Sequence, residues 1–303
     1  METSKIPKVR TAKGFKKYTL KGIQLVPATS RFSPKNQTVT YYKIGNFSTG
    51  QNFYKYMTID RALDCLENGT LHFVEPSVWE DQYESRFYNA IYDNVLNGKD
   101  KNKTCPLLYA TCLTNKKENE PSWKIYSHGK KGACCVQLKL DRYKLREQIV
   151  NNINIKDCAI YEGAVSYFWQ GFIDNMDRSI INLNEENELY SMFFNDFSRD
   201  KYLNLMLLKR DAFEHERETR IMIVPDNQEA KKCQGLHLVV KIDWGCVIKE
   251  IRYDSNCSKT KVGKLKSALH KISPMKKIRL NRYDINGEKK QIVIGEPRKP
   301  KPI

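Results

Sequence analysis

The sequence predicts an α+β protein with a mixed β-sheet core and flanking helices, and three features carry that expectation. A strand, a helix, a glycine stop and a second strand follow one another between Asn52 and Val74. Most later apolar segments are short, rich in β-branched and aromatic residues, and bounded by Gly, Pro, Asn or Asp, as strands are. No internal repeat occurs, and 40% hydrophobic residues suffice for a buried core, which tells against disorder and fibrous architectures.

The chain up to about Phe15 is polar and Gly/Pro-punctuated and reads as unstructured. Tyr18–Val26 and Thr38–Ile44 alternate apolar and polar residues and read as strands. Phe53–Met57 is a strand and Thr58 an N-cap; Ile59, Ala62, Leu63 and Leu66 share one face of a helix to Asn68, and Gly69 closes it. Leu71–Val74 returns as a strand, Tyr83–Leu96 reads as helix, Asn97–Lys103 as a polar loop, and Leu107–Leu113 as a buried strand. Pro121–Tyr126 leads to a turn at His128-Gly129, Gly132–Leu138 is a central strand, and Ala159–Ser166 is another. The Asn/Asp-rich stretch Asp174–Glu188 is an inserted loop or a helical connector. Arg199–Ala212 reads as a helix through Tyr202, Leu205, Met206 and Leu208, followed by a strand at Arg220–Val224 that Pro225 ends. Leu236–Ile242 and Val247–Tyr253 are strands, Lys261–Ile272 is a basic helix, and Ile278–Tyr283 with Gln291–Ile294 forms a hairpin around Asn286-Gly287.

Charge divides the chain into three parts. The formal net charge is +17, of which residues 1–50 carry +9, residues 258–303 carry +11 and residues 51–257 only −3. The expected organisation is a basic N-terminal extension with short strands at 1–50, a catalytic-like α+β domain at 51–257, and a basic helix and hairpin at 258–303 packed on that domain. Cationic ends attract a polyanion through phosphate contacts and counterion release, and equally they keep a chain in solution. The candidate nucleic-acid contacts are Lys13, Lys16 and Lys17, interleaved with Phe15 and Tyr18, and Lys276, Lys277 and Arg279. No long apolar run follows the basic start, so the sequence predicts no membrane span and no signal peptide, and a cytoplasmic protein.

The nine cysteines are odd in number and contain no Cys-x-x-Cys pair, so ordinary reduced thiols are expected and neither a zinc ribbon nor a disulfide framework. No Walker loop, Gly-x-Gly-x-x-Gly, His-Glu-x-x-His or Gly-x-Ser-x-Gly occurs, and the five histidines show no ligand spacing, so no resident metal is expected. What remains is Glu214, Glu216 and Glu218, at every second position before Arg220. On extended backbone the three carboxylates share one face, where they repel one another unless a cation, a hydroxyl-rich ligand or an arginine stands among them. The pattern reads either as a ligand site or as an exposed edge with weak Glu–Arg pairs.

Four strings, LENGTLHFVEPSVWEDQYE (Leu66–Glu84), SWKIYSHGKKGACCVQL (Ser122–Leu138), LKRDAFEHERETRIMI (Leu208–Ile223) and VIKEIRYD (Val247–Asp254), together resemble a bacterial family labelled as a domain of unknown function. The shared order is a Tyr-Lys-Tyr strand, a helix ending in Asn-Gly, a Leu-x-Phe-x-x-Pro strand, a Trp-x-x-Tyr segment and a Glu-x-Glu-x-Arg strand. The likeness covers about residues 52–270; this chain departs from it at Tyr253-Asp254, where a Gly-containing turn is usual. The layout is also similar to that of ADP-ribosyltransferases among toxins and phage-defence effectors, and this second resemblance implies an ADP-ribosyltransferase-like fold with NAD as substrate.

On that resemblance Glu218 and Glu216 are the catalytic carboxylates, and Tyr54, Tyr56, Trp123, Tyr126 and Arg220 bind the dinucleotide. The superfamily's first-strand His or Arg is replaced here by Tyr54-Lys55-Tyr56, which leaves that role to Lys55 or Arg61. Glu218 would accept from the ribose 2′-hydroxyl and stabilise an oxocarbenium-like state, while Glu216 orients or deprotonates the acceptor. The basic ends point to nucleic acid as acceptor, RNA over DNA, and an active toxin implies an antitoxin or chaperone partner. The alternatives are a non-enzymatic RNA- or DNA-binding module and a magnesium-dependent nuclease built on Glu214, Glu216 and Glu218.

Overall fold

The computed structural model describes the strands at residues 10–11, 14–15, 26–27 and 39–44, then residues 50–86, 88–89, 107–117, 120–128, 134–155, 157–171, 173–174, 199–225, 235–274 and 278–284, and the strand at 291–293. It is a mixed α/β structure. In chain order the strands are β1 (Arg10–Thr11), β2 (Gly14–Phe15), β3 (Val26–Pro27), β4 (Val39–Ile44), β5 (Asn52–Thr58), β6 (Thr70–Val74), β7 (Tyr109–Thr114), β8 (Cys135–Asp141), β9 (Cys158–Ala164), β10 (Ser166–Phe168), β11 (Leu208–Arg210), β12 (Glu218–Pro225), β13 (His237–Lys241), β14 (Ile248–Asp254), β15 (Arg279–Tyr283) and β16 (Gln291–Val293). The helices are α1 (Ile59–Asn68), α2 (Glu120–His128), α3 (Arg142–Asn152), α4 (Arg199–Leu205), α5 (Trp244–Val247) and α6 (Lys259–Ile272), with 3-10 turns at Pro76–Val78 and Asp211–Glu216. No helix among the described residues is long and apolar enough to cross a membrane.

Contacts group the chain into two compact units that interleave along the sequence. One comprises Met1–Ser48, His72–Cys112 and Ile155–Leu238; the other comprises Thr49–Leu71, Leu113–Asn154 and Val239–Ile303.

In the first unit β12 is the central strand. It runs antiparallel to β9, from Thr219 opposite Ala164 to Pro225 opposite Cys158, and β9 runs parallel to β4. Every residue of β12 is buried, so its apolar run Ile221–Val224 is continuous rather than alternating. A small parallel pair, β10 with β11, forms a separate two-stranded sheet, and its Tyr167, Phe168 and Leu208 share one core with Tyr88, Tyr161, Tyr202, Leu205 and Met222.

The second unit has the sheet order β16-β15-β14-β8-β5. Its α1 forms where local rules place it. Thr58 Oγ accepts from Arg61 N at 3.4 Å, the buried residues are Ile59, Ala62, Leu63, Cys65 and Leu66, and Gly69 takes the left-handed conformation (φ 60°) that ends the helix. Ser258 caps α6 in the same way, and β15 pairs with β16 as the expected hairpin, whose turn lies outside the described residues.

Several expectations are corrected. The helix expected over Arg199–Ala212 ends at Leu205, because Ser166 N donates to Leu207 O and β11 then pairs with β10. Leu207 and Leu208 are buried by tertiary pairing that helical periodicity does not foresee. The segment after Glu120, expected only to lead into a turn, is the helix α2, and α3 was not anticipated although Asp141 caps it through Tyr143 N and Lys144 N. The start, expected to be unstructured, holds the β1–β2 ladder. Of the helix expected at Tyr83–Leu96, residues 82–86 and 88–89 are helical and the rest lies outside the described residues, as do most of Tyr18–Val26, Asn97–Lys103 and Asp174–Glu188. Finally, Cys134 and Cys257 are joined as a disulfide, where reduced thiols were expected. The partners are 123 residues apart, so no short-range spacing announces them.

Candidate functional site

The glutamate-rich segment does not present its three carboxylates on one strand face. Asp211–Glu216 winds as a 3-10 helix, Arg217 turns left-handed (φ 47°), and β12 starts only at Glu218. Glu214 therefore stays at the surface, 3.5 Å from Arg217, while Glu216 and Glu218 converge by a different route, on the ammonium of Lys209.

Glu218 is the buried centre of the site. Its Oε1 accepts from Arg220 Nε at 2.7 Å, and its Oε2 accepts from Lys209 Nζ at 2.9 Å and Arg220 Nη2 at 3.2 Å. Its backbone N–H donates to Tyr167 Oη at 2.8 Å. Residues i and i+2 of a strand share a face, which brings Arg220 to Glu218. The same guanidinium donates to Met206 O and to Glu84, and the Trp79 ring lies 4.4 Å from its centre. Lys209 also reaches Glu216 Oε2 at 2.7 Å. The result is a chain of alternating charge, Glu84–Arg220–Glu218–Lys209–Glu216. Its inner members are almost fully enclosed, and Glu216, with its side chain 24% exposed, is the end nearest solvent.

Burial pushes carboxyls up, yet Arg220 and then Lys209 overcome it at Glu218 and hold that carboxyl well below the usual range. Burial dominates at Glu84, which is raised despite Arg220. Lys209 is raised against its own burial by Glu218 and then Glu84. A second charged layer adjoins the first: Arg210 pairs with Asp81 at 3.2 Å and lies 4.8 Å from the Tyr83 ring and 4.9 Å from Phe213, over which Lys209 also sits. Tyr83 Oη donates to Asp174 at 2.9 Å.

The expected aromatic residues lie in the second unit. Trp123 is completely buried, stacked on Tyr283 at 4.4 Å and edge-on to Tyr56 at 5.4 Å. Gln137 Nε2 donates to Tyr56 Oη and to Lys117 O. Tyr54 is buried and Tyr126 faces solvent. The structure thus brings Glu216, Glu218 and Arg220 together in one unit, and Tyr56 and Trp123 together in the other. Of the basic residues singled out, Arg279 opens β15 with an exposed side chain opposite Glu250, and Lys13, Lys16, Lys17, Lys276 and Lys277 lie outside the described residues.

Reading the residues alone missed Glu84, Lys209, Tyr167 and Trp79. Trp79 and Glu84 stand in the quoted string Leu66–Glu84 and Lys209 in the string that ends at Ile223, so the signal available was their place in those strings. Lys209 was hidden inside an apparently helical segment. The donor set does not suit a divalent cation, because Arg220 and Lys209 already occupy both oxygens of Glu218. Compared with protein-family models, with curated proteins and with solved structures, the chain matches none.

Proposed function

We propose that the chain is an ADP-ribosyltransferase-like toxin or antiviral-defence effector that transfers ADP-ribose from NAD to nucleic acid, RNA rather than DNA. The observation that carries this reading is the charge chain ending at Glu216: a carboxylate near solvent, tied through Lys209 to a buried one whose carboxyl is held well below the usual range. Cleavage of the nicotinamide–ribose bond sends the bonding electrons to nicotinamide and leaves positive charge on the sugar, which a nearby carboxylate stabilises. In this scheme Glu216 faces the sugar and takes the proton of the attacking acceptor hydroxyl or amine, while Glu218 positions Lys209. The motif order from Tyr54 to Arg220 supports the assignment, and the cationic ends support a polyanionic acceptor.

Radiolabelled NAD incubated with the chain and total RNA tests it. Label should enter RNA with wild type, fall by about 10²-fold or more with Glu216→Gln, and fall with Glu218→Gln. Undiminished transfer by Glu216→Gln removes that residue from the site.

The saturation of both Glu218 oxygens favours a second reading, in which the network is a structural clamp and the chain binds nucleic acid through its basic ends without catalysis. Salt-sensitive RNA binding unaffected by Glu216→Gln, with no label transfer by wild type, would select it.

A further inference from the structure

We propose that the outer face of α6 is a docking surface for the phosphate backbone of RNA, held by two rows of lysines. The helix carries five lysines and no acidic residue, and it lies in the segment 258–303 that holds +11 of net charge. Val262, Leu265, Ala268 and Leu269 are buried, so one side of α6 faces its own unit and the other faces solvent. At 3.6 residues per turn, Lys259 and Lys266 stand seven positions apart on one shoulder of the free side, and Lys264 and Lys271 stand seven apart on the other. Each pair spans about 10.5 Å along the axis, and the two rows are about 140° apart around it. Gly263 and Ser267 lie between the rows, and a Cβ added at Gly263 would meet nothing within 4 Å.

These four cations are not engaged within the protein. Lys261 is, with its Nζ 2.7 Å from Asp60 Oδ2 on α1. Among the described residues the side chains of Lys259, Lys264, Lys266 and Lys271 make no ion pair and no hydrogen bond; Lys266 is half-buried and the other three are exposed. Lys259 also sits in the first turn, where a cation opposes the helix macrodipole, so helix formation does not account for it. The chemistry of the face selects the partner. None of the exposed large apolar residues is on α6, whereas a helix lying in a membrane surface needs an apolar face to enter the lipid. Protein interfaces are depleted in lysine and centre on aromatic anchors, which this face lacks. A phosphodiester chain needs no anchor, carries a charge on every residue, and is held by lysine as a point charge. With only Gly263 and Ser267 between the rows, the contact is to phosphates and independent of base sequence.

The inference rests on the nucleic-acid part of the reading above and not on transfer, so it is tested without NAD, by fluorescence anisotropy of the full chain with a labelled oligouridylate at several salt concentrations. Replacing Lys259, Lys264, Lys266 and Lys271 together by Gln should lower the log–log salt slope by about 0.7 for each lysine and weaken binding about 10²-fold or more at about 0.1 M salt. Replacing the same four by Arg should keep both. Lys264→Gln/Lys271→Gln should weaken binding more than Lys116→Gln/Lys144→Gln, which removes the same charge from exposed positions outside α6. Equal losses in the two pairs overturn the surface, because net charge alone then accounts for binding. Wild-type affinity in the fourfold Gln variant overturns α6 while leaving RNA as the acceptor, and no binding by wild type overturns both. Displacement by polyglutamate as effective as by unlabelled oligomer overturns nucleic acid as the partner of this face.

Discussion

Arg220 Nε lies 2.7 Å from Glu218 Oε1, two positions earlier on the same strand, and Nη2 of that guanidinium, which also reaches Glu218, donates to Glu84, 136 residues away in sequence. One buried cation thus ties the helical residues 82–86 to the first residue of β12. Removing it strands two enclosed carboxylates, so Arg220→Met should cost about 3–5 kcal/mol, read as a lowered urea midpoint. Arg220→Lys should fall nearly as far, because an ammonium cannot span both partners in the planar fork that arginine offers. An unchanged midpoint for either variant would show that the network holds nothing together.

The same pairing sets an acid limb. Glu218 has its carboxyl depressed below the ordinary value, so its stabilisation is fully present above the unfolded-state pKa of about 4.3 and is lost as pH falls through the folded one. Glu84, raised by burial, works in the opposite sense, gaining as it takes up a proton. The stability gap between wild type and Glu218→Gln should therefore be constant at neutral pH and shrink steadily below about pH 4. A gap that widens there would reverse the sign of the Glu218 shift. Chemical denaturation of both proteins across that range makes the measurement.

How far the sequence discloses this arrangement depends on the range of the forces involved. Helix α1 was legible to the residue, because Thr58, its apolar face and Gly69 act within a few positions of one another. Helix α3 has the same local signals, Asp141 as cap and Leu145 with Ile149 on one face, but its polar Arg, Lys, Glu, Gln and Asn residues blur the apolar periodicity. Glu216 and Glu218 were found, but for a geometric reason that fails, since the backbone reverses at Arg217 and it is Lys209 that gathers them. Glu84 and Lys209 belong to the site through tertiary packing, which no local pattern encodes.

Glycines in the second unit differ sharply in what they tolerate. A Cβ on Gly245 would stand 2.4 Å from the carbonyl oxygen of Ile272, a backbone atom at the end of α6 that cannot swing aside. Gly245→Ala should destabilise by about 1–3 kcal/mol, as overpacking does. Gly263, inside α6, meets nothing within 4 Å of an added Cβ, so Gly263→Ala should stabilise by about 0.5–1 kcal/mol through helix propensity alone. Melting temperatures that move the same way for both would contradict the packing of α5 against α6.

The bridge between Cys134 and Cys257 joins the residue before β8 to the loop before α6, closing 123 residues of chain. A cross-link of that span restricts the unfolded chain strongly, so its loss should cost about 2–4 kcal/mol. Non-reducing peptide mapping should recover the Cys134 and Cys257 peptides linked. Dithiothreitol should then lower the melting temperature of wild type but leave the Cys134→Ser/Cys257→Ser double variant where it already is. The neighbouring thiol of Cys135 is buried and pushed above its ordinary pKa by that burial and then by Asp254, which leaves it a poor nucleophile for exchange with the bridge. Mapped peptides linking Cys135 to either partner would therefore contradict both the pairing and the burial that enforces it.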